Sequence, residues 1–195
     1  NSGATAALGT GNAFDIHTTL NKDGGGSVAW IEPNSNTNRM MSARFDKNGK
    51  KMWEKPVFNG KSGVNYFSPN KFTTDSENGF YNLWFTPKNT GFDLSVQHID
   101  GDGNQLWGES GLSLTDFNWY DTYRLLPHVD RGVMALYQAK KTDINTDSYD
   151  LFTSYISPEG TFGIEQKLEV TLTKSQYCAG EVITANLVSG TYQAH

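Results

Sequence analysis

Residues 94–108, which read LSVQHIDGDGNQLWG, decide the fold. Up to Ile99 the residues alternate as in a strand, so Leu94, Val96 and His98 are expected on one face and Ser95, Gln97 and Ile99 on the other. An aspartate and glycine turn follows at once, and Trp107 comes soon after it. Such a turn between two apolar stretches is a strong hairpin signal. The stretch therefore predicts an antiparallel hairpin.

The same pattern occurs three times along the chain. Its turn glycine recurs at intervals of 54 and 57 residues, as Gly49, Gly103 and Gly160. We expect each of these glycines to adopt a positive φ, because glycine has no Cβ to clash there. A fixed period of this length is the mark of a repeat architecture, in which each repeat is one supersecondary unit.

Aromatic residues repeat in step with the turns. An acidic and glycine-containing turn precedes a strand that ends in a large aromatic, at Trp30, Trp84 and Tyr137. A second aromatic follows each hairpin turn, at Trp53, Trp107 and Phe162. Because every repeat needs the same filler against its neighbours, these positions are predicted to pack in the core.

Each repeat contains about four short strands joined by hairpins, and three repeats span residues 1–170, at about 14–60, 67–114 and 119–170. The predicted fold is all-β, with antiparallel four-stranded repeats in a small or partial β-propeller. Three repeats do not close a ring, since known propellers have at least four. Residues 171–195 could add strands that close the last sheet, the chain could be cut from a larger propeller, or these residues could begin an Ig-like module.

Residues 96–108, with Gly25 and Trp30, resemble the blade-like repeats of large secreted and cell-surface proteins of Bacteroidetes-type bacteria. The resemblance covers roughly residues 14–170 and implies a propeller in a secreted or surface-exposed adhesive protein. Residues 177–181 resemble the opening of a PKD-type Ig-like domain. Proteins with such repeats have many activities, so the resemblance does not name a function.

Composition excludes several classes of function. The net charge is −5 and no run of lysine or arginine occurs, which argues against nucleic acid as a partner. No apolar run approaches the roughly 18 residues of a membrane span, so no membrane insertion is expected. The one cysteine, Cys178, has no internal disulfide partner and no zinc-site spacing. A start at Asn1 rather than methionine suggests a processed or excised domain, and localisation is expected to be secreted or cell-surface.

Asp100, Asp102 and Asn104 have the alternate spacing of a calcium loop. However, Gln105 and Gly111 stand where an EF-hand needs glycine and glutamate, and the turn of the first repeat has Lys50 at the position of Asn104. A hairpin turn is therefore favoured over a calcium site, and no cofactor is expected.

No constellation in the sequence predicts catalysis. Glycoside hydrolysis needs two carboxylates across a cleft, but the spacing of the candidates does not show that any two converge: Glu32, Asp93, Asp121 and Asp147. The four histidines also lie far apart: His17, His98, His128 and His195. At His98 a polar or partly buried strand position is favoured over catalysis. The sequence thus predicts that the chain is not an enzyme.

The densest group of aromatics outside the repeated positions is residues 117–123, on a segment between repeats. Aromatic faces beside amide and carboxylate groups can stack on a sugar and bind its hydroxyls. The candidate ligand-binding residues are Asn118, Trp119, Tyr120, Asp121 and Tyr123. Packing of the connection between repeats is the alternative explanation.

The sequence favours an extracellular, non-catalytic module for binding, adhesion or spacing. Its expected partner is a glycan or a protein at the cell surface. The alternative is a fragment of a propeller-type enzyme that acts on polysaccharide. A purely architectural piece of a large surface protein is the third hypothesis.

Overall fold

The computed structural model of the chain describes residues 13–34, 37–59, 71–87, 92–115, 120–140, 149–163, 166–168 and 190–191. Within these ranges the secondary structure is entirely β. The strands are β1 (Phe14–Leu20), β2 (Gly26–Asn34), β3 (Thr37–Phe45), β4 (Lys51–Asn59), β5 (Lys71–Thr74), β6 (Phe80–Pro87), β7 (Phe92–Ile99), β8 (Leu112–Thr115), β9 (Tyr120–Pro127), β10 (Val133–Lys140), β11 (Tyr149–Ile156), β12 (Gln166–Leu168) and β13 (Gly190–Thr191).

The strands form three antiparallel sheets, each built from consecutive strands. The first sheet has the order β1-β2-β3-β4, the second β5-β6-β7-β8, and the third β9-β10-β11-β12 with β13 added at its outer edge. The predicted all-β fold with antiparallel four-stranded repeats is confirmed. Apart from β13, residues 171–195 lie outside the described residues, Cys178 among them.

The sheets lie side by side in chain order, with their first strands adjacent. β1 contacts β5, and β5 contacts β9, so the first strand of each sheet is the innermost. This is a propeller-like arrangement. Within the described ranges the third sheet does not pack extensively against the first, and no ring is closed there. None of the described segments is a helix long and apolar enough to cross a bilayer.

The central strands are covered on both faces because a sheet lies on either side of the second one. On β7, Leu94 and Val96 belong to a core shared with the third sheet, while Ile99 belongs to a core shared with the first. The predicted opposite facing of these residues is therefore correct. Residues 93–99 are nevertheless all buried, so the alternation divides two cores rather than a core from solvent.

The hairpin turns have the predicted backbone. Gly49, Gly103 and Gly160 have φ values of 80°, 80° and 84°, which confirms the expected positive φ. In the first two turns the leading aspartate accepts hydrogen bonds from two backbone N–H groups of its own turn through Oδ1, at Asp46 and Asp100. The acidic residue thus stabilises the turn itself.

The first set of recurring aromatics is buried as predicted, at Trp30, Trp84 and Tyr137. The second set is not uniform. Trp107 is buried and Trp53 is partly buried, but Phe162 is 44% exposed. Core packing is therefore wrong for Phe162. It lies on the third sheet, where no described sheet packs in the way that the second and third pack on Trp53 and Trp107.

Candidate functional site

An open groove of about 640 Å³ lies where the hairpin turns of the three sheets meet, and it is called here the turn-end groove. Several charged groups line this cavity. The second and third sheets supply most of its walls, and Arg44 reaches it from the first. Its lining residues are Arg44, Asp75, Glu77, Asn78, His98, Asp100, Gly101, Asp102, Leu106, Arg131, Pro158 and Glu159.

The groove is bordered by hydrogen bonds that join each sheet to the turn of the next. From the first sheet, Trp53 Nε1 donates to the Gly101 carbonyl at 2.8 Å and Arg44 Nη1 donates to the same oxygen at 2.7 Å. From the second sheet, Trp107 Nε1 donates to the Pro158 carbonyl at 3.1 Å. The recurring tryptophans therefore act as donors between sheets as well as core filler.

Arg44 and the residues aligned with it in the other two repeats, His98 and Tyr155, each also contact an aspartate of their own sheet. Arg44 donates to Asp23, His98 Nε2 lies 3.2 Å from Asp75 Oδ2, and the Tyr155 hydroxyl donates to Asp130. The three donors occupy equivalent positions, whereas Asp75 lies two residues earlier in its turn than Asp23 and Asp130 do in theirs. The pKa of the Asp130 carboxyl falls to about 2, because it accepts hydrogen bonds from Tyr155, from His128 and from the Gly132 N–H.

The Asp75–His98 pair forms the buried floor of the groove. Burial by itself raises the pKa of the Asp75 carboxyl. Hydrogen bonds from His98 and from the backbone N–H groups of Glu77 and Gly79 outweigh burial, so the pKa lies below its usual value. Asp75 is therefore a carboxylate at neutral pH and suits the role of an acceptor or base rather than a general acid.

The rim of the groove carries exposed polar side chains that bind nothing else among the described residues. They are the carboxylates of Asp102 and Glu159 and the guanidinium of Arg131. Arg131 has φ 72°, an unusual conformation for a residue with a side chain, and its carbonyl accepts a hydrogen bond from the Tyr81 hydroxyl. Leu106 and Pro158 add apolar surface between these groups.

In the candidate calcium loop, the carboxylate of Asp100 accepts hydrogen bonds from its own turn. Asp100 Oδ1 accepts the N–H groups of residues 102 and 104, and Asp100 Oδ2 accepts the Asn104 side-chain amide at 2.9 Å. Across the described ranges, no three acidic, histidine or cysteine side chains form a group that could hold a metal ion. The sequence-based prediction of a hairpin turn without calcium at Asp100, Asp102 and Asn104 is not tested for the ion itself.

The predicted aromatic site is only partly described. Tyr123 is 3% exposed and packs edge-on against Phe85 with ring centroids 4.9 Å apart, so its ring faces the core between the second and third sheets. Tyr120 and Asp121 begin β9, but their side chains are not described. Asn118 and Trp119 lie outside the described residues. Ligand binding at this group stays a prediction.

Glu32 and Asp93, two of the carboxylates considered for glycoside hydrolysis, do not line the groove. Glu32 is buried with Arg39 and accepts a hydrogen bond from Trp30 Nε1, and Asp93 accepts one from Ser113 Oγ. Asp147 and the side chain of Asp121 are not described. The histidines His17 and His128 each pair locally with an aspartate two residues away.

Comparison with known proteins gives a likeness to solved structures but none in sequence. No family model matches the chain, and no curated protein matches it in sequence. A solved structure from Parabacteroides distasonis, described as a "putative glycoside hydrolase", is 15% identical with a TM-score of 0.41. The match covers 78% of this chain and 52% of that one, so the chain spans about half the length of that structure. A likeness at this level assigns no activity.

Two sequence-based predictions change in the light of these comparisons. The prediction that the chain is not an enzyme is withdrawn, because the solved structure that the chain matches is described as a "putative glycoside hydrolase". The resemblance to Bacteroidetes-type surface repeats and to a PKD segment finds no support from a matching family.

Sequence reasoning missed most of the groove. Arg44, Asp75 and Arg131 were not candidates, and His98 was interpreted only as a polar strand position. The available signal was that Arg44, His98 and Tyr155 align in the three repeats and that all three can donate hydrogen bonds. Arg44 and His98 reach backbone carbonyls of the next repeat, at Gly101 and Pro158, and no residue type in the sequence identifies such acceptors.

The role of Trp53 and Trp107 as donors can be tested with Trp107→Phe, which keeps a smaller aromatic ring but removes the Nε1–H that binds the Pro158 carbonyl. We expect the free energy of unfolding in urea to fall by about 1 kcal/mol. Phe162→Tyr on the third sheet is the control, and it should leave the midpoint unchanged. An unaltered midpoint for Trp107→Phe would show that the indole acts only as filler.

Proposed function

We propose that this chain is the propeller-type part of a secreted, polysaccharide-active enzyme and that the turn-end groove binds the glycan. The observation that carries the proposal is the rim, where Asp102, Arg131 and Glu159 hold their polar groups exposed and unengaged by described residues. Carboxylates accept two hydrogen bonds side by side, and a guanidinium donates two, which suits the vicinal hydroxyls of a sugar. Leu106 and Pro158 supply apolar surface for the C–H faces of the ring.

The charges of the groove favour a neutral glycan. Five carboxylates line it, from Asp75, Glu77, Asp100, Asp102 and Glu159, against two guanidiniums, from Arg44 and Arg131. Arg44 is already paired with Asp23. A polyanion such as a uronic acid polymer would meet like charges, which opposes binding. Neutral hexose polymers meet no such repulsion.

The proposal is tested by affinity electrophoresis in gels that contain a neutral hexose polymer or a uronic acid polymer. We expect the protein to be retarded only by a neutral polymer. The variants Arg131→Gln and Asp102→Ala/Glu159→Ala should each weaken binding about tenfold, the effect of losing one hydrogen bond to a charged group.

Lys47→Ala is the matched control, because Lys47 is exposed on the equivalent turn of the first sheet and does not line the groove. It should bind as the unmodified protein does. Release of reducing ends from the bound polymer is measured in the same samples. Absence of retardation by every neutral polymer, or equal binding by the rim variants, would overturn the proposal.

A further inference from the structure

The imidazole of His98 lies between two hydrogen-bond acceptors. Nδ1 is 3.2 Å from the Pro158 carbonyl oxygen on the third sheet, and Nε2 is 3.2 Å from Asp75 Oδ2 on the second. A carbonyl and a carboxylate only accept, so each ring nitrogen must carry a proton for both bonds to form. Neutral imidazole has one N–H and the imidazolium has two. The arrangement is complete only when His98 is protonated.

Two aromatic rings hold the imidazole in this orientation. Tyr81 stacks on it, with centroids 4.2 Å apart and an interplanar angle of 27°. Trp107 packs edge-on at 5.6 Å. His98 is buried among these groups, so water has little access to replace a lost hydrogen bond.

In the first repeat the position equivalent to His98 is occupied by Arg44, whose two hydrogen bonds do not need a titrating proton. Arg44 donates to the Gly101 carbonyl of the next sheet and to Asp23 of its own sheet, the same two kinds of acceptor. An arginine keeps its charge at all relevant pH values. The contact that Arg44 makes with the second sheet therefore does not depend on its protonation. The corresponding contact of His98 with the third sheet depends on one proton.

Most of the charged groups around His98 are carboxylates. Asp75 is in direct contact, and hydrogen bonds keep its pKa low despite burial, so it stays a carboxylate. Burial raises the pKa of the stacked Tyr81, which therefore stays neutral. The remaining titratable groups that line the same groove are Arg44, Glu77, Asp100, Asp102, Arg131 and Glu159. Carboxylates outnumber guanidiniums among them.

We propose that His98, Asp75 and the Pro158 carbonyl form a proton-operated latch between the second and third sheets. The latch is complete when His98 is an imidazolium, and it loses one of its two hydrogen bonds when His98 is neutral. The stabilisation is therefore present at acidic pH and lost as the pH rises through the imidazole range. It requires no ligand and does not depend on the proposed glycan binding.

The latch is tested by thermal unfolding at about pH 8 and about pH 5.5, which span the range in which imidazoles titrate. We expect the difference in Tm between the unmodified protein and His98→Gln to be larger by about 3–6 °C at the acidic pH. His98→Arg should be at least as stable as the unmodified protein at about pH 8, because it restores the two permanent donors seen at Arg44. His128→Gln, in the exposed His128–Asp130 pair, is the control and should show little change in its difference.

NMR of the unmodified protein gives a readout that does not depend on the folding of any variant. Two slowly exchanging ring N–H signals from His98 are expected at acidic pH, and one at about pH 8. A single ring N–H signal at both pH values would overturn the latch. So would a Tm difference from His98→Gln that is equal at both.

Discussion

Replacing Gly79 by alanine is expected to destabilise the protein by about 3 kcal/mol, near the upper end of what overpacking does. A Cβ at this position would lie 2.3 Å from the Ile99 carbonyl oxygen and 2.5 Å from Asp75 Oδ2. The first obstacle is the backbone of Ile99 at the end of β7. It pairs with β6 and cannot move aside without breaking that pairing. The second belongs to a carboxylate that already binds the Gly79 N–H.

The same close approach occurs in the other repeats, and it explains why a glycine recurs just before the second strand of each sheet. A Cβ on Gly25 would lie 2.2 Å from the Phe45 carbonyl oxygen, and one on Gly132 would lie 2.6 Å from that of Ile156. Gly108→Ala is the matched control, since its Cβ would meet nothing within 4 Å although its φ is 75°. It should lower the free energy of unfolding by only about 1 kcal/mol, the usual effect of a left-handed non-glycine residue. Equal losses for Gly79 and Gly108 in urea unfolding would contradict the steric explanation.

Trp84→Ala is expected to destabilise the protein by about 4 kcal/mol, as truncation of a large buried side chain does. Trp84 is 2% exposed and packs with Met40 and Val57 of the first sheet and Phe80 and Ile99 of its own. Removing the indole would leave a cavity in the core that joins the first two sheets. The neighbouring strands are fixed by sheet pairing, so they can collapse only partly into the space.

The control for Trp84 is Phe162→Ala, which truncates a recurring aromatic that is largely exposed. Its expected loss is below about 1 kcal/mol, because little apolar area returns to water. Both variants are compared by chemical denaturation followed by far-ultraviolet circular dichroism. A loss of similar size for the two would show that the core between the first and second sheets does not depend on Trp84.

The fold could be predicted because its determinants are local and repeated. The positive φ at Gly49, Gly103 and Gly160 follows from turn chemistry within five residues. The facing of Leu94 and Ile99 follows from strand alternation. Repetition then multiplied the signal, since each landmark occurs three times at nearly constant spacing.

The turn-end groove could not be predicted, because its parts come from three sheets and several are main-chain atoms. Asp75 and His98 are 23 residues apart in the chain, and Pro158 takes part through its carbonyl oxygen. The alignment of the repeats places Arg44, His98 and Tyr155 together, but only the packing of one sheet on the next shows what they bind. The burial of Tyr123 could not be predicted for a related reason: its neighbours in sequence are polar, yet its neighbours in space are the core of two sheets.

The indole hydrogen bonds between sheets run one way along the chain, and this makes the three repeats unequal as building blocks. Repeats one and two each end in an indole that reaches forward, whereas the third has Phe162 at that place and spends its Tyr155 hydroxyl on its own Asp130. A permuted gene that moved the third repeat to the middle would therefore join this repeat to the next one without an indole donor between them. Swapping repeats therefore requires exchanging the side chains at positions 155 and 162 as well as the connecting loops.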